Sequence, residues 1–195
     1  MAQKMLQRYK DSDRMNHWFI ALMFVLAGLS GLAFFHPSLF FISHLFGGGS
    51  WARILHPFMG VLMVVGFAGL FFKLWRDNVI TAADREWSKH AGRMLRGDKA
   101  GMPPVGKYNY GQKMVFWAMA VSLVVLLVTG LMFWRPWFAP YFHVDLLRAA
   151  VLLHSISAVV LIAATIMHVY AVIWVKGTAR AMTRGTVTEG WAKMN

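Results

Sequence analysis

The chain contains four long apolar segments, and stretches rich in lysine and arginine precede the first, separate the second from the third and follow the fourth. About 20 apolar residues, at about 1.5 Å of rise per residue, are enough for a helix to cross a hydrocarbon core about 30 Å thick. Four segments meet this requirement, at about residues 15–35, 51–75, 112–134 and 148–175. The pattern therefore predicts an all-α membrane protein, in which residues 1–195 form a single four-transmembrane-helix bundle.

The connections between the spans differ in length. The stretch from His36 to Ser50 is short and ends in three glycines, which is typical of a flexible turn. The loop at 76–110 is long, and we expect a short interfacial helix followed by a turn within it. The first span resembles a secretory signal peptide, but it is too long and no small-residue cleavage site follows, so we expect it to be retained.

Composition supports a membrane protein and restricts its chemistry. Hydrophobic residues make up 58% of the chain and charged residues 14%, and the mean hydropathy is +0.50. The absence of cysteine excludes disulfides, cysteine-ligated iron–sulfur clusters and a c-type haem attachment in this chain. A redox metal must therefore be bound by nitrogen, oxygen or a methionine thioether.

The net charge of +12 indicates an orientation. Of the 20 lysines and arginines, only Arg53, Arg135 and Arg148 fall on the side opposite the N-terminus in this topology. The positive-inside rule then places both termini and the 76–110 loop on the cytoplasmic side of the membrane. So basic a surface also favours anionic lipid or an acidic partner, whereas no nucleic-acid-binding signature accompanies it.

Four histidines lie within the spans or at their ends, and they are His17, His56, His154 and His168. On the fourth span the last two are 14 positions apart, which is within about 40° of four turns and corresponds to about 21 Å along the axis. Depth pairs His56 with His154 near the outer surface. It pairs His17 with His168 near the inner surface.

Two histidines at one depth can ligate the iron of a flat macrocycle between helices. Ionisable groups inside a membrane are costly and usually functional, so two b-type haems with the four histidines as iron ligands explain both pairs. The residues one turn from the ligands are small, which leaves room for a macrocycle: Ala21, Gly60, Ala158 and Ala164. Hydrogen-bonded packing histidines remain an alternative, and zinc is a weaker one because no carboxylate or cysteine accompanies the histidines.

Two arginines precede ligands by three positions. Arg14 stands before His17 and Arg53 before His56, on nearly the same helix face and one turn nearer water. Each arginine could pair with a haem propionate, or it could simply extend toward the interface as basic residues at helix ends do. The remaining histidines are predicted to be solvated or interfacial, and they are His36, His44, His90 and His143.

The pattern resembles one family closely, the gamma subunit (a di-haem cytochrome b) of respiratory, membrane-bound formate dehydrogenases. The segments that carry the resemblance are spread over nearly the whole chain. They are Asn16-His17-Trp18, Ala52-Arg53-Ile54-Leu55-His56-Pro57-Phe58, Gly106-Lys107-Tyr108-Asn109-Tyr110-Gly111-Gln112-Lys113, Phe133-Trp134-Arg135-Pro136, Leu153-His154-Ser155, His168-Val169-Tyr170, Trp174-Val175-Lys176-Gly177 and Trp191-Ala192-Lys193.

The resemblance implies two haem b groups held by the histidine pairs, and a quinone (menaquinone or ubiquinone) site near His168 and the segment from Asn109 to Gln112. The amides of Asn109 and Gln112 could hydrogen-bond quinone carbonyls, although helix capping is the alternative use for such residues. The resemblance also implies two partners, an iron–sulfur (beta) subunit and a molybdenum or tungsten (alpha) subunit that oxidises formate.

The function expected from these observations is that of a membrane anchor and electron-transfer subunit. Electrons would pass from the iron–sulfur subunit through the outer haem and then the inner haem to a quinone reduced on the cytoplasmic side. The chain would carry the quinone-reduction site but not formate oxidation. Two alternatives stay open, the cytochrome b of another quinone-linked complex, such as a hydrogenase or a thiosulfate or polysulfide reductase, and a haem-free anchor or transporter. Assembly of the complex into a higher oligomer is a further possibility.

Overall fold

A computed structural model describes residues 4–90, 92 and 106–194. Its helices are α1 (Asp11–Phe35), α2 (Gly49–Leu74), α3 (Ala82–Lys89), α4 (Tyr110–Met132), α5 (Val144–Trp174), α6 (Thr178–Arg184) and α7 (Glu189–Met194). Two short strands, β1 (Met5–Gln7) and β2 (Thr186–Thr188), complete the regular structure together with short 3₁₀ segments. The turn predicted in the second half of the 76–110 loop, at Gly101-Met102-Pro103-Pro104, lies outside the described residues.

Four of the described helices, α1, α2, α4 and α5, are long and apolar enough to cross a membrane. They overlap the four predicted spans, and the predicted all-α membrane fold is confirmed. The helix α1 begins at Asp11, before the predicted start at residue 15. Its first turn is polar, and the Lys10 backbone N–H donates to Asp13 Oδ2 across that turn at 3.3 Å. Hydropathy cannot detect such a polar turn, because it scores transfer to lipid and not local hydrogen bonding.

The spans pack as two helix hairpins. The first consists of α1 and α2, the second of α4 and α5, and the two helices of each hairpin contact each other along their length. The hairpins meet in an apolar core formed by Met63, Leu123 and Leu161. Much of the remaining apolar surface is exposed on the chain, as expected where lipid replaces water around a helix bundle.

The connection between α1 and α2 is more regular than the predicted loop. Residues Pro37–Phe46 form a 3₁₀ helix, and His36 caps it by accepting a hydrogen bond from the Ser38 backbone N–H at 3.2 Å. The helix ends at Gly47, where φ is 85°, and Gly48 follows with φ of 99°. Residues with a side chain rarely adopt this backbone conformation, so the two glycines permit the turn into α2.

The two terminal segments are paired at one end of the bundle. The strands β1 and β2 are antiparallel, with Met5 opposite Thr188 and Gln7 opposite Thr186. We call residues 5–9 with residues 182–191 the terminal cap. Tyr9 in this cap lies 2.9 Å from Tyr108 between the two hydroxyl oxygens. The terminal segments and the start of α4 therefore share one end of the bundle.

A buried ion pair joins the polar connection to α4. The Lys113 ammonium donates to Asp84 Oδ2 at 2.7 Å and to the Val79 carbonyl at 3.0 Å, and both charged side chains are buried. The same Asp84 oxygen also accepts from the Thr81 backbone N–H at 2.7 Å. Burial acts to raise the pKa of Asp84, but the hydrogen bonds from Lys113 and Thr81 outweigh it and hold that pKa below the ordinary carboxyl value. The pair fixes α3 against the first turn of α4.

Candidate functional site

The structure brings the four span histidines together as two pairs of rings. The centres of the His56 and His154 rings are 6.3 Å apart, and those of His17 and His168 are 6.2 Å apart. We call these the outer pair and the inner pair, the inner pair being the one at the end of the bundle that carries the terminal cap. Each pair takes one ring from α5, and the continuous helix between them places the pairs about 21 Å apart along its axis.

The ring separations fit one metal atom held between two imidazoles. Half of each separation, about 3.1 Å, corresponds to a metal–nitrogen bond of about 2 Å plus roughly 1 Å from the nitrogen to the ring centre. Among the described residues, no group of three or more histidine, aspartate or glutamate side chains could hold a metal ion. A metal at either pair must therefore take its other ligands from a non-protein group. A b-type haem, whose macrocycle supplies four nitrogens, fits this donor set, whereas a tetrahedral zinc ion does not.

The small residues predicted around the ligands are not equivalent. Gly60, one turn after His56, would meet nothing within 4 Å if it carried a Cβ, so the helix surface there is open to a flat group. Ala21 and Ala158 are half-buried, and Ala164 is buried against protein. Gly60 therefore fits the predicted role best, whereas Ala164 has a packing role.

A side-chain hydroxyl holds each ring of the outer pair. Ser30 on α1 lies 2.9 Å from His56, measured from its Oγ to the ring Nδ1. Thr129 on α4 lies 3.0 Å from His154, measured between the corresponding atoms. The two hydroxyls thus occupy equivalent places, since each sits on the first helix of a hairpin and contacts the histidine on the second.

The direction of these hydrogen bonds follows from the hydroxyl protons. The Ser30 hydroxyl donates to the Leu26 carbonyl at 2.8 Å, and the Thr129 hydroxyl donates to the Val125 carbonyl at 2.6 Å. A hydroxyl has a single proton, so when that proton goes to the backbone carbonyl the ring donates its Nδ1–H to the hydroxyl oxygen, the tautomer that we assign here. The Nε2 atom of each outer ring then keeps its lone pair, which is the form a metal ligand requires.

A glycine follows each hydroxyl and lies against the same ring. A Cβ added to Gly31 would be 3.1 Å from His56 Cε1, and one added to Gly130 would be 3.2 Å from His154 Cε1. Sequence reasoning missed these two dipeptides, Ser30-Gly31 and Thr129-Gly130. Their signal was a hydroxyl residue followed by glycine at nearly the same distance before each outer histidine, 26 positions in one hairpin and 25 in the other.

The inner pair is supported differently. The His17 Nδ1 atom is buried and has no hydrogen-bond partner, and within the described part of the chain no hydrogen bond is formed by the His168 ring. His17 is positioned by its sequence neighbours instead. Asn16 donates to the Gly66 carbonyl at 2.9 Å, and the Trp18 indole donates to the Met182 carbonyl at 3.1 Å while its ring meets that of His17 edge-on.

The two arginines near the ligands have protein partners. Arg14 donates to the Thr183 carbonyl at 2.8 Å, to the Met182 carbonyl at 3.3 Å and to Asp11 at 2.8 Å, so it ties α1 to α6. Arg53 lies 5.9 Å from the ring centre of Phe34. These contacts favour a structural role for Arg14, and the propionate contacts of both arginines stay predictions.

Asn109 and Gln112 cap the N-terminus of α4. Asn109 Oδ1 accepts from the Gln112 backbone N–H at 3.0 Å, and Gln112 Oε1 accepts from the Asn109 backbone N–H at 2.9 Å. This capping box uses the two amide oxygens, which leaves the NH₂ groups as donors for another acceptor. Beside them, burial and the neighbouring Tyr9 hydroxyl raise the pKa of Tyr108 far above its ordinary value, so that phenol stays protonated.

The other histidines stand apart from both pairs. His36 caps the 3₁₀ helix, His90 Nδ1 lies 3.1 Å from the Glu86 carbonyl oxygen, and the exposed His143 lies 3.6 Å from Asp145. His44 is exposed in the 3₁₀ helix. Their places are those expected of solvated or interfacial residues.

A comparison with known proteins assigns the class. A family model described as prokaryotic cytochrome b561 matches residues 8–185. The chain is 46% identical over 186 residues to the cytochrome b556(fdo) subunit of formate dehydrogenase from Escherichia coli (strain K12), covering 95% of this chain and 87% of the relative. The chain therefore belongs to the prokaryotic cytochrome b561 family and, within it, to the formate dehydrogenase cytochrome b556 subunits.

Two further relatives agree with this membership. The nitrate-inducible cytochrome b556(Fdn) subunit of formate dehydrogenase from E. coli (strain K12) is 40% identical over 190 residues, 97% of this chain and 88% of the relative. The formate dehydrogenase cytochrome b556 subunit of Haemophilus influenzae (strain ATCC 51907 / DSM 11121 / KW20 / Rd) is 39% identical over 186 residues, 95% of this chain and 78% of the relative. The resemblance read from the sequence is thus confirmed, and b-type haem binding follows from the family.

Proposed function

We propose that this chain anchors a formate dehydrogenase complex in the bacterial inner membrane and carries its electrons to a quinone. The outer and inner pairs each hold one b-type haem, and both termini face the cytoplasm. The observation that carries this proposal is the spacing of the two ring pairs, each of which fits one metal atom between imidazoles at a different depth. A haem at each pair supplies one-electron redox chemistry.

The chain's own residues determine the route. His154 and His168 lie on one helix, α5, and so set the distance between the two haem sites. His56 on α2 and His17 on α1 supply the second ring of each pair. Electrons enter from an iron–sulfur subunit at the outer side, move to the inner pair and reduce a quinone at the cytoplasmic side. Moving an electron inward against about 100 mV of membrane potential costs about 2.3 kcal/mol. The route therefore conserves part of the energy released when a molybdenum or tungsten subunit oxidises formate.

We propose that the quinone binds near His168 and the capping box of α4, the position that the family resemblance implies. Two electrons from the inner centre and two protons from the cytoplasm convert a quinone to a quinol. The NH₂ groups of Asn109 and Gln112 remain available as donors to a quinone carbonyl, because the capping box uses only the amide oxygens. This arrangement reconciles the capping role with a quinone contact, since one side chain can serve both.

The haem content of the intact complex is the first test. A pyridine haemochrome assay and a reduced-minus-oxidised spectrum should show two b-type haems per chain. A preparation without b-type haem would exclude the proposal and favour a haem-free anchor or transporter.

The electron donor is tested with formate, hydrogen and thiosulfate in turn. Strong activity with hydrogen or thiosulfate and none with formate would assign the chain to another quinone-linked complex.

The quinone site needs a variant that separates capping from quinone binding. Asn109→Ala removes both the capping oxygen and the amide NH₂ group, whereas Asn109→Ser keeps a capping oxygen close to the backbone and removes the longer-reaching amide NH₂ group. Both variants should impair quinone reduction while both haem signals remain. If Asn109→Ser turned over quinone like the wild type across a range of quinone concentrations, Asn109 would be a capping residue and the quinone site would lie elsewhere.

A further inference from the structure

The two ring pairs differ in what contacts each imidazole. Each outer ring has a hydroxyl oxygen at Nδ1 and a glycine against Cε1. In the inner pair, the buried Nδ1 atom of His17 has no partner, and neither inner ring meets a hydroxyl or a glycine in this way among the described residues. The same kind of ligand is thus placed in two different surroundings.

We propose that Ser30-Gly31 and Thr129-Gly130 are positioning elements that orient the outer rings and keep the reduction potential of the outer centre below that of the inner centre. The inference rests on the proposed function, in which each pair holds a haem. It adds residues that act on the ligands and a direction for the potential difference between the two centres.

The electronic part of the argument concerns the Nδ1–H bond. A ring that donates Nδ1–H to an acceptor becomes more electron-rich and binds a metal through Nε2 as a stronger base. A more basic axial ligand stabilises ferric iron relative to ferrous iron, which lowers the reduction potential. Both outer rings have such an acceptor, whereas His17 has none. The outer centre is therefore the better electron donor of the two, and electron transfer toward the inner centre is favoured.

The steric part concerns the orientation of the ring. With a glycine at residue 31, the α1 backbone approaches the His56 ring closely, and a larger residue would push Cε1 away. Gly130 does the same for His154 on the other hairpin. A displaced ring would lengthen its Nδ1–H hydrogen bond, because that bond and the close approach come from adjacent residues on one helix. Hydroxyl and glycine therefore act together.

The test is a redox titration of the intact complex carrying Ser30→Ala, Thr129→Val or both substitutions. The haem components are assigned beforehand with His154→Ala and His168→Ala. The midpoint of the outer component should rise in each variant. In the double variant the ferric-to-ferrous ratio of the outer component at a fixed potential should fall about tenfold, which corresponds to a rise of about 59 mV in its midpoint for one electron. The inner component should keep its midpoint.

Matched controls separate this effect from the loss of any hydroxyl in a span. Ser122 is buried on α4, and Thr165 on α5 donates to the Leu161 carbonyl at 2.9 Å as Thr129 does to its own helix. Ser122→Ala and Thr165→Val should leave the outer midpoint unchanged. Ser30→Thr and Thr129→Ser keep a hydroxyl and should restore it. A purely structural role for these residues would move haem content but not the midpoint.

The outcomes distinguish this inference from the function on which it rests. Two haems with unchanged midpoints in the double variant would overturn the inference and leave the proposed function standing. An equal rise at both centres would overturn it too. Loss of the outer haem from both single variants and the double variant, with no midpoint shift in any outer haem that remains, would overturn the effect on the potential and indicate a purely structural role. Absence of haem from the wild-type complex would overturn the proposed function itself.

Discussion

The outer and inner ring pairs have nearly the same spacing but different support. The outer rings are held directly, by hydroxyls on the neighbouring helix of the same hairpin. The inner pair is held indirectly, because Asn16 and Trp18 bind neighbouring segments while the His17 ring itself has no partner at Nδ1. We infer from this comparison that the spacing of the rings determines which group a pair can bind. The hydrogen bonds behind the rings would then determine the reduction potential of each centre. Four sets of substitutions test this difference, beginning with the largest expected effect.

Removing one ligand should empty one pair and leave the other. His154→Ala should abolish the outer haem signal and His168→Ala the inner one, because each pair has one ring from α5 and one from another helix. Haem content and low-temperature spectra of the purified complex measure both. His44→Ala, which changes an exposed histidine outside both pairs, is the control. Loss of the inner haem first in His154→Ala would break the pairing.

A substitution outside both pairs should not discriminate between them. Asp84→Asn leaves the buried Lys113 ammonium without its counter-ion and should cost about 3–5 kcal/mol in the free energy of unfolding. Because the pKa of Asp84 is held low, the stabilising contribution is present above the ordinary carboxyl pKa and is lost as pH falls through the lowered value. Denaturation in detergent at several pH values should show the difference from the wild type constant at about pH 5–7 and shrinking below about pH 4.

The exposed pair of Asp77 and Lys107 provides the control for this measurement. Its nitrogen–oxygen distance is 2.6 Å, similar to that of the buried pair, but about a third of each side chain is exposed. Asp77→Asn should therefore cost less than about 1 kcal/mol. If Asp84→Asn instead removed one haem selectively, the connection before α4 would have to be counted as support for that pair.

Filling the close approach to an outer ring should disturb the outer pair alone. Gly31→Ala or Gly130→Ala places a Cβ closer to a ring carbon than ordinary contact allows, and we expect a cost of about 1–3 kcal/mol with a labile outer haem. Haem retention during thermal denaturation measures this effect. Gly69→Ala is the matched control, since its Cβ would lie at an ordinary 3.5 Å from Asn16. Equal lability of both haems would count against direct support of the outer rings.

The smallest effect is expected at the inner pair. Asn16→Ala removes the hydrogen bond to the Gly66 carbonyl and should cost about 1 kcal/mol, with a more labile inner haem and an unchanged outer one. Asn78→Ala is the control, because Asn78 also donates from its amide to a backbone carbonyl at 2.9 Å but lies outside both pairs. The inner-to-outer ratio of haem retained after mild heating is the measurement. A ratio unchanged by Asn16→Ala would show that its neighbours do not support His17.

The spans were predictable because each contains a long apolar stretch, and hydropathy can be read without knowledge of tertiary contacts. The pairing of the histidines also came from the sequence, since helix geometry and charge asymmetry give each residue a depth. Ser30 and Thr129 were not predictable in this way. A hydroxyl in a membrane helix usually bonds its own backbone, as both of these do, and its second contact depends on the rotation of two packed helices.

Short elements and dual roles were also beyond the sequence. The strands β1 and β2 have three residues each, too few for a periodic pattern, and they pair across most of the chain length. Arg14 carries the spacing expected of a propionate contact, yet it binds carbonyls on α6 that no local pattern relates to it. Asn109 shows the reverse case, because its capping role was the alternative drawn from the sequence and is present in the structure.

The pairing of β1 with β2 sets an order for biogenesis. A ribosome releases β1 before the first span and β2 only after the fourth, so the terminal cap closes once all four helices have been translated. The Met182 carbonyl that binds Arg14 and Trp18 emerges equally late. The hydroxyls behind the outer rings, in contrast, lie within the helix hairpins and are in place sooner. The support of the outer pair should therefore assemble before that of the inner pair, and a chain stalled after Trp174, which has all four span histidines but lacks Met182, should hold a haem at the inner pair less firmly than one at the outer pair.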